Sequence, residues 1–467
     1  MRGITVALLA LLWAARLPAQ GVSVFAHGGC ALARAGTGTA DPCRGGSSVF
    51  YNPAALAVQP GAASVGLLTV FTHSQFAYDS SGARVDSDHP TGWVPSAWFA
   101  ARAGRLGFGL GFWAPYGLST AWPRSFEGRF VGYDNSLVGL YIQPTLAVEL
   151  VPDRFAVGAG LTFVQGSVRI RRRVDLATTN VPGTTLPFSA LGIPKGTDFV
   201  DADLDVDDFA VTFNAGVHVK ASDRWWLGVR YLHAAHLDLS GSSRFTQIPT
   251  GVLLPPGNPL GLPAGTPLDA VLATQFAPGG VLSDQRLQTE ITLPNQLVAG
   301  VRFQAASNIR LLLDYQWTRW SHFAEAQLDF TRAPTDTLFL DFRNTSTIRL
   351  GADYDVNERW IVRAGGLYND AASPVSAVTP LLAEGQRVTV AAGIGYRVSD
   401  RFSADAGLEA VFQEDRPGSV RPRVSRSQSS DSLAVGVYSG SAFVLGLTMS
   451  YRLPDLKAWL QGTTTNR

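Results

Sequence analysis

The stretch "TIRLGADYDVNERWIVRAGGLYN", from Thr347 to Asn369, contains the pattern that decides the fold. Apolar side chains recur at every second position before the central "VNERW". Ile348, Leu350 and Tyr354 share one face of an extended chain, while Arg349 and Asp353 share the other. A period of two residues is typical of a β-strand, and the Asn of "VNERW" favours tight turning. The stretch therefore predicts a strand, a short turn and a second strand.

The same alternation continues through most of the chain from about Ala62. It is clear in "IRLLLDYQW", residues 309–317, and in "RVTVAAGIGYRV", residues 387–398. An antiparallel sheet on a soluble core would alternate in the same way. Periodicity alone therefore does not decide whether the apolar face meets a protein core or lipid.

The lengths of the connections favour a membrane barrel. Six connections are short. Five of them are alike, at 151–155, 221–225, 306–310, 356–360 and 398–402, and a sixth, at 103–108, is looser. Seven others are long, polar and rich in Pro and Gly, at roughly 74–92, 117–134, 174–206, 240–286, 331–342, 369–385 and 413–432. Short periplasmic turns that alternate with long external loops are typical of outer-membrane barrels, whose sheet must close because lipid cannot satisfy backbone groups. The sequence thus predicts an all-β fold, a transmembrane antiparallel β-barrel of about fourteen strands.

Composition agrees with a surface that meets lipid. Only 16% of the 467 residues are charged, while 10% are aromatic and 48 are Gly. Lys and Arg number 38 against 37 Asp and Glu, so the net charge of +1 gives no basic excess for binding nucleic acid. We therefore expect no nucleic-acid partner.

Residues 1–20 have the form of a signal peptide. Arg2 precedes the apolar run "ITVALLALLWAA", and small residues follow near Ala19. A membrane anchor is the alternative, but the apolar run is shorter than the roughly 20 residues that a spanning helix needs. We expect an exported protein with its N-terminus on the periplasmic side of the bacterial outer membrane.

Residues 21–61 are predicted to fold as a plug (hatch) inside the barrel. This segment contains both cysteines of the chain, Cys30 and Cys43, and an exported protein favours a disulfide between them. Metal ligation is the alternative, but His27 gives no recognisable zinc spacing. A loose periplasmic tail is the alternative to a plug. The barrel is then assigned to residues 62–453 and a C-terminal periplasmic tail to 454–467.

One predicted strand changes phase. In "RFAVGAGLTFVQGSVRIRR", residues 154–172, the apolar set begins on Phe155 and later moves to Val168 and Ile170. A bulge near Gln165 and Gly166 would restore the register. Such a bulge would turn Arg169 and Arg171 into the lumen.

Several motifs, in order along the chain, resemble the FadL-type outer-membrane transporters (OMPP1/FadL/TodX). These motifs are "YNPAAL" from Tyr51, "PYGLSTAW" from Pro115, the pair "LPNQLVAGVRF" and "LLLDYQWTRWSHF" between Leu293 and Phe323, and Ile348 to Val375. The resemblance implies passive uptake of long-chain fatty acids, aromatic hydrocarbons or detergent-like amphiphiles. In that family a substrate is caught by external loops, enters a pocket in the barrel and leaves sideways at a kinked strand.

The resemblance also suggests site residues. Phe50, Tyr51, Asn52, Pro53 and Ala54 would form the gating end of the plug. A fatty-acid carboxylate would require a cation, for which Arg169 and Arg171 are the first candidates and Arg343 the second. An ordinary pairing of these arginines with lumen carboxylates is the alternative. The loops at 174–206 and 240–286 would form the capture groove, although simple packing between the loops would also explain their apolar residues.

Two other classes of function remain as alternatives, an outer-membrane lipid-modifying enzyme and a general porin. The sequence contains no Gly-x-Ser-x-Gly elbow, and we expect neither catalytic residues, nor a metal, nor a cofactor. A general porin would lack a plug and would show more charge in the lumen. The expected macromolecular partners are outer-membrane lipid and the barrel assembly machinery.

Overall fold

The computed structural model describes residues 23–88, 91–181, 184–423, 425, 428 and 435–455. The predicted signal peptide and most of the predicted tail lie outside these residues. The strand segments among the described residues are β1 Ala62–Tyr78, β2 Arg84–Asp86, β3 Gly92–Ala103, β4 Leu106–Ala121, β5 Asp134–Val151, β6 Phe155–Asp175, β7 Asp198–Lys220, β8 Trp225–Leu232, β9 Ala235–Gln247, β10 Gln285–Leu293, β11 Gln296–Ala306, β12 Ile309–Thr318, β13 Glu325–Phe330, β14 Asp336–Phe339, β15 Thr345–Asp355, β16 Trp360–Asn369, β17 Arg387–Arg397, β18 Phe402–Gly418 and β19 Gly436–Arg452. The α-helices are α1 Gly29–Ala33, α2 Ser48–Tyr51 and α3 Leu268–Phe276. In the described part of the chain no helix is both long and apolar enough to cross a membrane.

The segments form one closed antiparallel barrel of fourteen crossings. β1 pairs with β19 from Ala62 and Arg452 to Tyr78 and Gly436, which closes the sheet. Four crossings are each built from two segments, namely β8 with β9, β10 with β11, β12 with β13 and β14 with β15. Pro294, which separates β10 from β11, has no N–H to donate to a neighbouring strand. The predicted fold is confirmed.

The predicted short turns all join neighbouring strands. They lie between β3 and β4, β5 and β6, β7 and β8, β11 and β12, β15 and β16, and β17 and β18. At the opposite end of the barrel some strands are longer than predicted. The loop predicted at 174–206 is shorter in the structure, where β6 reaches Asp175 and β7 begins at Asp198. Short and long connections therefore occupy opposite ends of the barrel.

Along each strand the exposed apolar residues face outward. On β15, Leu350 is 57% exposed, while its neighbours Arg349 and Gly351 are buried. Aromatic pairs lie beside the short turns, where the ring centroids of Trp360 and Tyr396 are 4.4 Å apart. This outer surface, apolar with aromatic rings near its edge, is what a lipid bilayer requires.

The bulge predicted near Gln165 and Gly166 is absent, so that prediction is wrong. β6 pairs with both β5 and β7 through these residues without a change of register. Ile170 consequently points inward and is 6% exposed, and Arg169 and Arg171 lie on the outward face with Leu161. The phase change reflects an apolar lumen rather than a bulge, since Val168 and Ile170 pack inside the barrel.

The plug, described from Ser23 to Gly61, fills the lumen. It contains α1, α2 and a 3₁₀ helix, Pro53–Ala57, and nearly all of its side chains are buried. Val49, Phe50 and Leu56 pack in one apolar cluster with inward-facing residues of the wall. The plug therefore packs against the inner face of the barrel wall, and neither of these two surfaces contributes to the outer face of the barrel.

Candidate functional site: the plugged lumen

Asn52 joins two parts of the plug to the barrel wall. Its Nδ2 donates to the backbone oxygen of Thr39 at 2.9 Å and to that of Val217 on β7 at 2.9 Å. Its Oδ1 accepts from the backbone N–H of Ala54 at 3.2 Å, which caps the 3₁₀ helix. Asn52 is fully buried, so each of these bonds replaces one that water would otherwise make.

Other wall residues hold the backbone on either side of Asn52. Asn214 Nδ2 donates to the backbone oxygens of Val49 and Phe50 at 3.1 and 3.2 Å, and Gln143 Nε2 donates to that of Val49 at 2.8 Å. The stretch containing Phe50, Tyr51, Asn52, Pro53 and Ala54 is therefore docked by side chains from β5 and β7.

A charged cluster holds the first half of the plug. Arg34 forms a bidentate ion pair with Asp353 of β15, and Asp353 also meets Arg310 and Arg363. Asp314 Oδ2 accepts from the backbone N–H groups of Gly38 and Thr39 at 2.9 and 3.1 Å. The plug backbone between them is thus fixed to β12 and β15.

The predicted disulfide is present. Cys30 and Cys43 are bonded, and the closed loop between them contains every plug residue that meets the charged cluster. The disulfide and the cluster therefore restrain the same part of the plug.

Wall glycines allow the plug backbone to approach closely. A Cβ at Gly216 would lie 2.2 Å from Asn52 Oδ1, and a Cβ at Gly158 would lie 2.6 Å from the carbonyl carbon of Pro53. Both distances are shorter than van der Waals contact. Side chains at these wall positions would therefore push the plug away from β6 and β7.

The wall has an interruption between β3 and β4. These strands pair only from Ala97 and Phe112 to Ala103 and Leu106, although β3 continues to pair with β1 as far as Gly92. On the other side of β4, the register with β5 shifts between Trp113 and Tyr116. We call this unpaired region, residues 92–96 and 113–117, the lateral gap.

The N-terminal end of the plug lies at the lateral gap. The backbone N–H of Val24 donates to the oxygen of Pro115 at 2.9 Å, and Ser23 forms a β-bridge with Tyr116. The edge of β4 that β3 leaves unpaired is therefore paired by the plug.

A continuous chain of contacting aromatic rings, which we call the aromatic route, runs from the plug past the lateral gap. Phe50 and Trp98 both contact Trp113, with ring centroids 5.6 and 5.4 Å apart. Trp113 contacts Tyr141, which contacts Tyr116, and Tyr116 contacts Trp320 at 5.9 Å. Beyond these rings β7, β9 and β10 contribute a buried set of apolar inward-facing residues, namely Leu204, Val206, Leu237, Leu239, Leu287, Ile291 and Leu293. Polar inward residues such as Thr289 and Gln285 lie among them. The external half of the lumen is therefore mainly apolar, unlike the polar lumen of a porin.

A model of the outer membrane protein transport protein family (OMPP1/FadL/TodX) matches residues 10–453. The chain belongs to this family. The Escherichia coli long-chain fatty acid transport protein is 25% identical over 392 residues, which are 81% of this chain and 80% of that protein. Outer membrane protein P1 of Haemophilus influenzae is 21% identical over 71% of this chain and 68% of its own length.

Solved structures show the same fold. A FadL homologue of Pseudomonas aeruginosa has a TM-score of 0.77, with 22% identity over 92% of this chain and 99% of its own. The Ralstonia pickettii toluene transporter TbuX has a TM-score of 0.64, with 20% identity over 92% and 98% of the two chains. This FadL-type chain is accordingly an outer-membrane barrel protein.

In this FadL-type protein Arg169 and Arg171 do not enter the lumen, contrary to the sequence-based prediction. Both make ion pairs with Asp203 of β7 at 2.7 and 3.1 Å, and Arg171 also meets Asp134. Continuous pairing of β6 places these side chains outside the barrel, so they lose the geometric basis for holding a ligand there. Arg343 follows β14 and is exposed, and its ligand role stays a prediction.

The two longest loops of this family member pack on each other. Phe188 and Ile193 of one loop share an apolar cluster with Leu254, Leu268 and Leu272 of the other. Asp269, at the start of α3, accepts hydrogen bonds from Thr250 and Gly251. Burial opposes ionisation of Asp269, but these bonds outweigh it and lower the pKa of the carboxyl group.

Sequence reasoning missed Arg230, a buried cation beside the aromatic route. Arg230 is 2% exposed, and its guanidinium carbon lies 4.4 Å from the ring centroid of Phe50. The signal was available in "WWLGVRYL" on β8, where Trp225, Leu227 and Val229 face outward and Arg230 must face inward.

Among the described residues, His236, Asp238 and Glu290 are grouped closely enough to hold a cation, with ligand atoms within 4.8 Å. All three are exposed on the outer face, where acidic groups are common without a metal, and we assign none.

Proposed function

We propose that this protein takes up hydrophobic compounds through the outer membrane by passive diffusion, with lateral exit through the gap between β3 and β4. The apolar, aromatic-lined lumen that ends at this gap is the observation that carries the proposal. Relatives named as a long-chain fatty acid transport protein and as toluene transporters support substrates of these two classes.

The route begins at the external loops, whose apolar side chains include the exposed Leu253 and Leu262. It continues past the inward-facing leucines of β9 and β10 and along Tyr116 and Trp113. A greasy molecule that turns outward here enters lipid directly and avoids the charged cluster around Arg34. Passage straight through the lumen would take the molecule through the buried ion pairs of the charged cluster. Such a charged environment is unfavourable for a hydrocarbon.

The plug gates this route. Phe50, Tyr51, Asn52, Pro53 and Ala54 remain docked, and the Val24–Pro115 hydrogen bond closes the lateral gap. Opening requires the residues near Val24 to leave β4, which loses one β-bridge and leaves the anchors of Asn52 and Asp353 unchanged. The plug can change between the closed and the open state without an energy source, which agrees with uptake by passive diffusion.

Insertion of such a barrel requires lipid against its apolar face and an assembly partner, and we propose the barrel assembly machinery for that role. Many outward residues are large and apolar, such as Leu146 and Leu447, each 63% exposed. A barrel that exposed these residues to water would aggregate.

Transport can be tested with purified protein in liposomes that contain labelled oleate, toluene or a sugar. We expect saturable passage of the two apolar solutes and little passage of sugar. Leu239→Asp places a charge on the apolar route and should reduce uptake, whereas Ser240→Asp, one residue along on the outward face, should not. Sugar passage without saturable uptake of apolar solutes would contradict the proposal and favour a porin.

A further inference from the structure

Arg230 on β8 is a buried cation that lacks an opposite charge. Its neighbours across the sheet are Gly216 on β7 and Val298 on β11, so neither adjoining strand places a carboxylate opposite it. Its guanidinium donates to two neutral oxygens, the side-chain oxygen of Gln296 and, at 3.5 Å, the backbone oxygen of Phe50, and among the described residues no carboxylate forms an ion pair with it. Because a buried charge is costly unless it is paired, this part of the lumen favours an anion.

Unused hydrogen-bonding groups cluster around the ring of Phe50. In the part of the chain that the structure describes, Arg230 Nε, Trp113 Nε1 and both ring nitrogens of His27 are buried without a hydrogen-bond partner. Buried nitrogens of this kind usually have one. The centroid of the Phe50 ring lies 4.4 Å from the guanidinium carbon, 4.7 Å from the imidazole centroid and 5.6 Å from the indole centroid. A polar group that entered the space of this ring would therefore meet nitrogens that lack a partner.

The Phe50 ring covers the guanidinium while the plug is closed. Its side chain is buried, and its backbone oxygen accepts from Asn214 Nδ2 at 3.2 Å. Rotation about the Cα–Cβ bond can therefore move the ring aside while the backbone stays docked. A carboxylate held bidentately by a guanidinium has its carbon about 4 Å from the guanidinium carbon. The centre of the Phe50 ring lies at nearly the same distance, 4.4 Å, so a carboxylate can take the place of this ring.

The rest of such a ligand would lie among aromatic rings. Trp98 and Trp113 stack with their centroids 5.4 Å apart, and the His27 ring contacts Trp98 edge-on at 6.3 Å. A flat ligand ring gains stacking and edge contacts with these rings that a flexible alkyl chain does not. A hydrocarbon would leave Arg230 unpaired, and an organic cation would be repelled by it. The ligand class that satisfies both features is an aromatic ring with one carboxylate.

We propose that Arg230 binds aromatic monocarboxylates, in a site that the ring of Phe50 covers while the plug is closed. The carboxylate pairs with the guanidinium, and the ligand ring packs beside Trp98 and Trp113. The proposal rests on the function proposed above, because the ligand reaches Arg230 through the same lumen. This ligand class differs from hydrocarbons by its charge and from fatty acids by its ring.

The test uses the full-length protein in lipid nanodiscs near neutral pH, with labelled p-toluate as the probe and nanodiscs without protein as the blank. Equilibrium dialysis should show saturable binding of p-toluate. Unlabelled toluene should displace the probe at least about tenfold less effectively than unlabelled p-toluate, because toluene cannot accept a hydrogen bond from a charged group. Hexanoate, a carboxylate without a ring, should be at least about threefold less effective than p-toluate.

Three variants locate the site. Arg230→Met removes the charge from a side chain of similar length and should weaken p-toluate binding at least about tenfold. Arg172, opposite the buried Ala202, also faces inward, but it pairs with Asp336 at 2.7 Å. Arg172→Met is therefore the matched control and should change binding less than about twofold. Phe50→Ala uncovers the guanidinium and should tighten p-toluate binding at least about threefold. If Arg230→Met fails to fold, as judged by heat-modified mobility, Phe50→Ala decides the matter.

Absence of saturable p-toluate binding would overturn the proposal, as would equal or stronger displacement by toluene or hexanoate. Unchanged binding in a folded Arg230→Met variant, an equal loss in Arg172→Met, or unchanged or weaker binding in Phe50→Ala would also overturn it. Oleate and toluene uptake into liposomes reports separately on the transport function. Uptake without p-toluate binding would reject only the Arg230 site, whereas p-toluate binding without uptake of apolar solutes would reject only the transport function.

Discussion

Replacing Asn52 with Ala should undock the plug while the barrel stays folded. The side chain makes three hydrogen bonds, to Thr39, Val217 and Ala54, and it is fully buried. Each such bond contributes about 1 kcal/mol net, and a buried partner left unpaired costs more. We therefore expect Asn52→Ala to destabilise the docked plug by about 3 kcal/mol, which raises the undocked population more than about 100-fold.

Hydrogen exchange with mass spectrometry, on the protein in nanodiscs, measures this effect directly. Peptides that cover residues 39–57 should exchange about 100-fold faster in Asn52→Ala, and peptides of the wall strands should not change. Asn369→Ala is the matched control, because Asn369 is buried but bonds to Thr347 and Asp370 on the wall. Unchanged exchange in residues 39–57, or equal acceleration in the wall, would refute the assigned role of Asn52.

Three further predictions concern the plug and the loops. Gly216→Ala should displace Asn52, because its Cβ would lie 2.2 Å from Oδ1, and should speed exchange of the plug, whereas Gly366→Ala, with its nearest atom at 3.7 Å, should not. Replacing Cys30 and Cys43 together by Ala should lower the stability of the plug by about 3 kcal/mol, seen as an earlier calorimetric transition, and an unchanged transition would contradict this. Folding lowers the pKa of Asp269, so its carboxylate accepts the hydrogen bonds from Thr250 and Gly251 at any pH above the ordinary Asp pKa of 3.8. These bonds are lost only as the pH falls through the lower pKa of the folded protein. Amide exchange at Thr250 and Gly251, corrected for intrinsic rates, should therefore accelerate only below about pH 4, and acceleration already at pH 6 would contradict it.

Much of the barrel is visible in the sequence because lipid imposes a simple rule on its outer face. Leu350 and Tyr354 alternate with Arg349 and Asp353, and the turn at 356–360 has the expected composition, so the number of strands and the alternation of short and long connections follow directly. The disulfide followed from the small number of cysteines in an exported chain.

The inner face follows no such rule, since the lumen contains both polar and apolar residues. Val168 and Ile170 were interpreted as facing lipid, although they face an apolar lumen, and this error moved Arg169 and Arg171 to the wrong side of the wall. The lateral gap lies where pairing between β3 and β4 ends, and Pro95 and Pro115, which have no N–H to donate to a neighbouring strand, are the signals in the sequence that could have indicated it. Arg230 was visible by alternation but was not selected.

The most direct test of lateral exit is photolabelling with a diazirine-bearing apolar substrate, followed by mapping of the labelled residues. Lateral exit predicts substrate-competable labelling along Tyr116 and Trp113 that continues to Trp93 at the lateral gap, at levels above those at Trp360, an outward aromatic far from the gap. Competable labelling that instead runs past the charged cluster to Asp41 and Arg302, with none at the gap, would contradict the account.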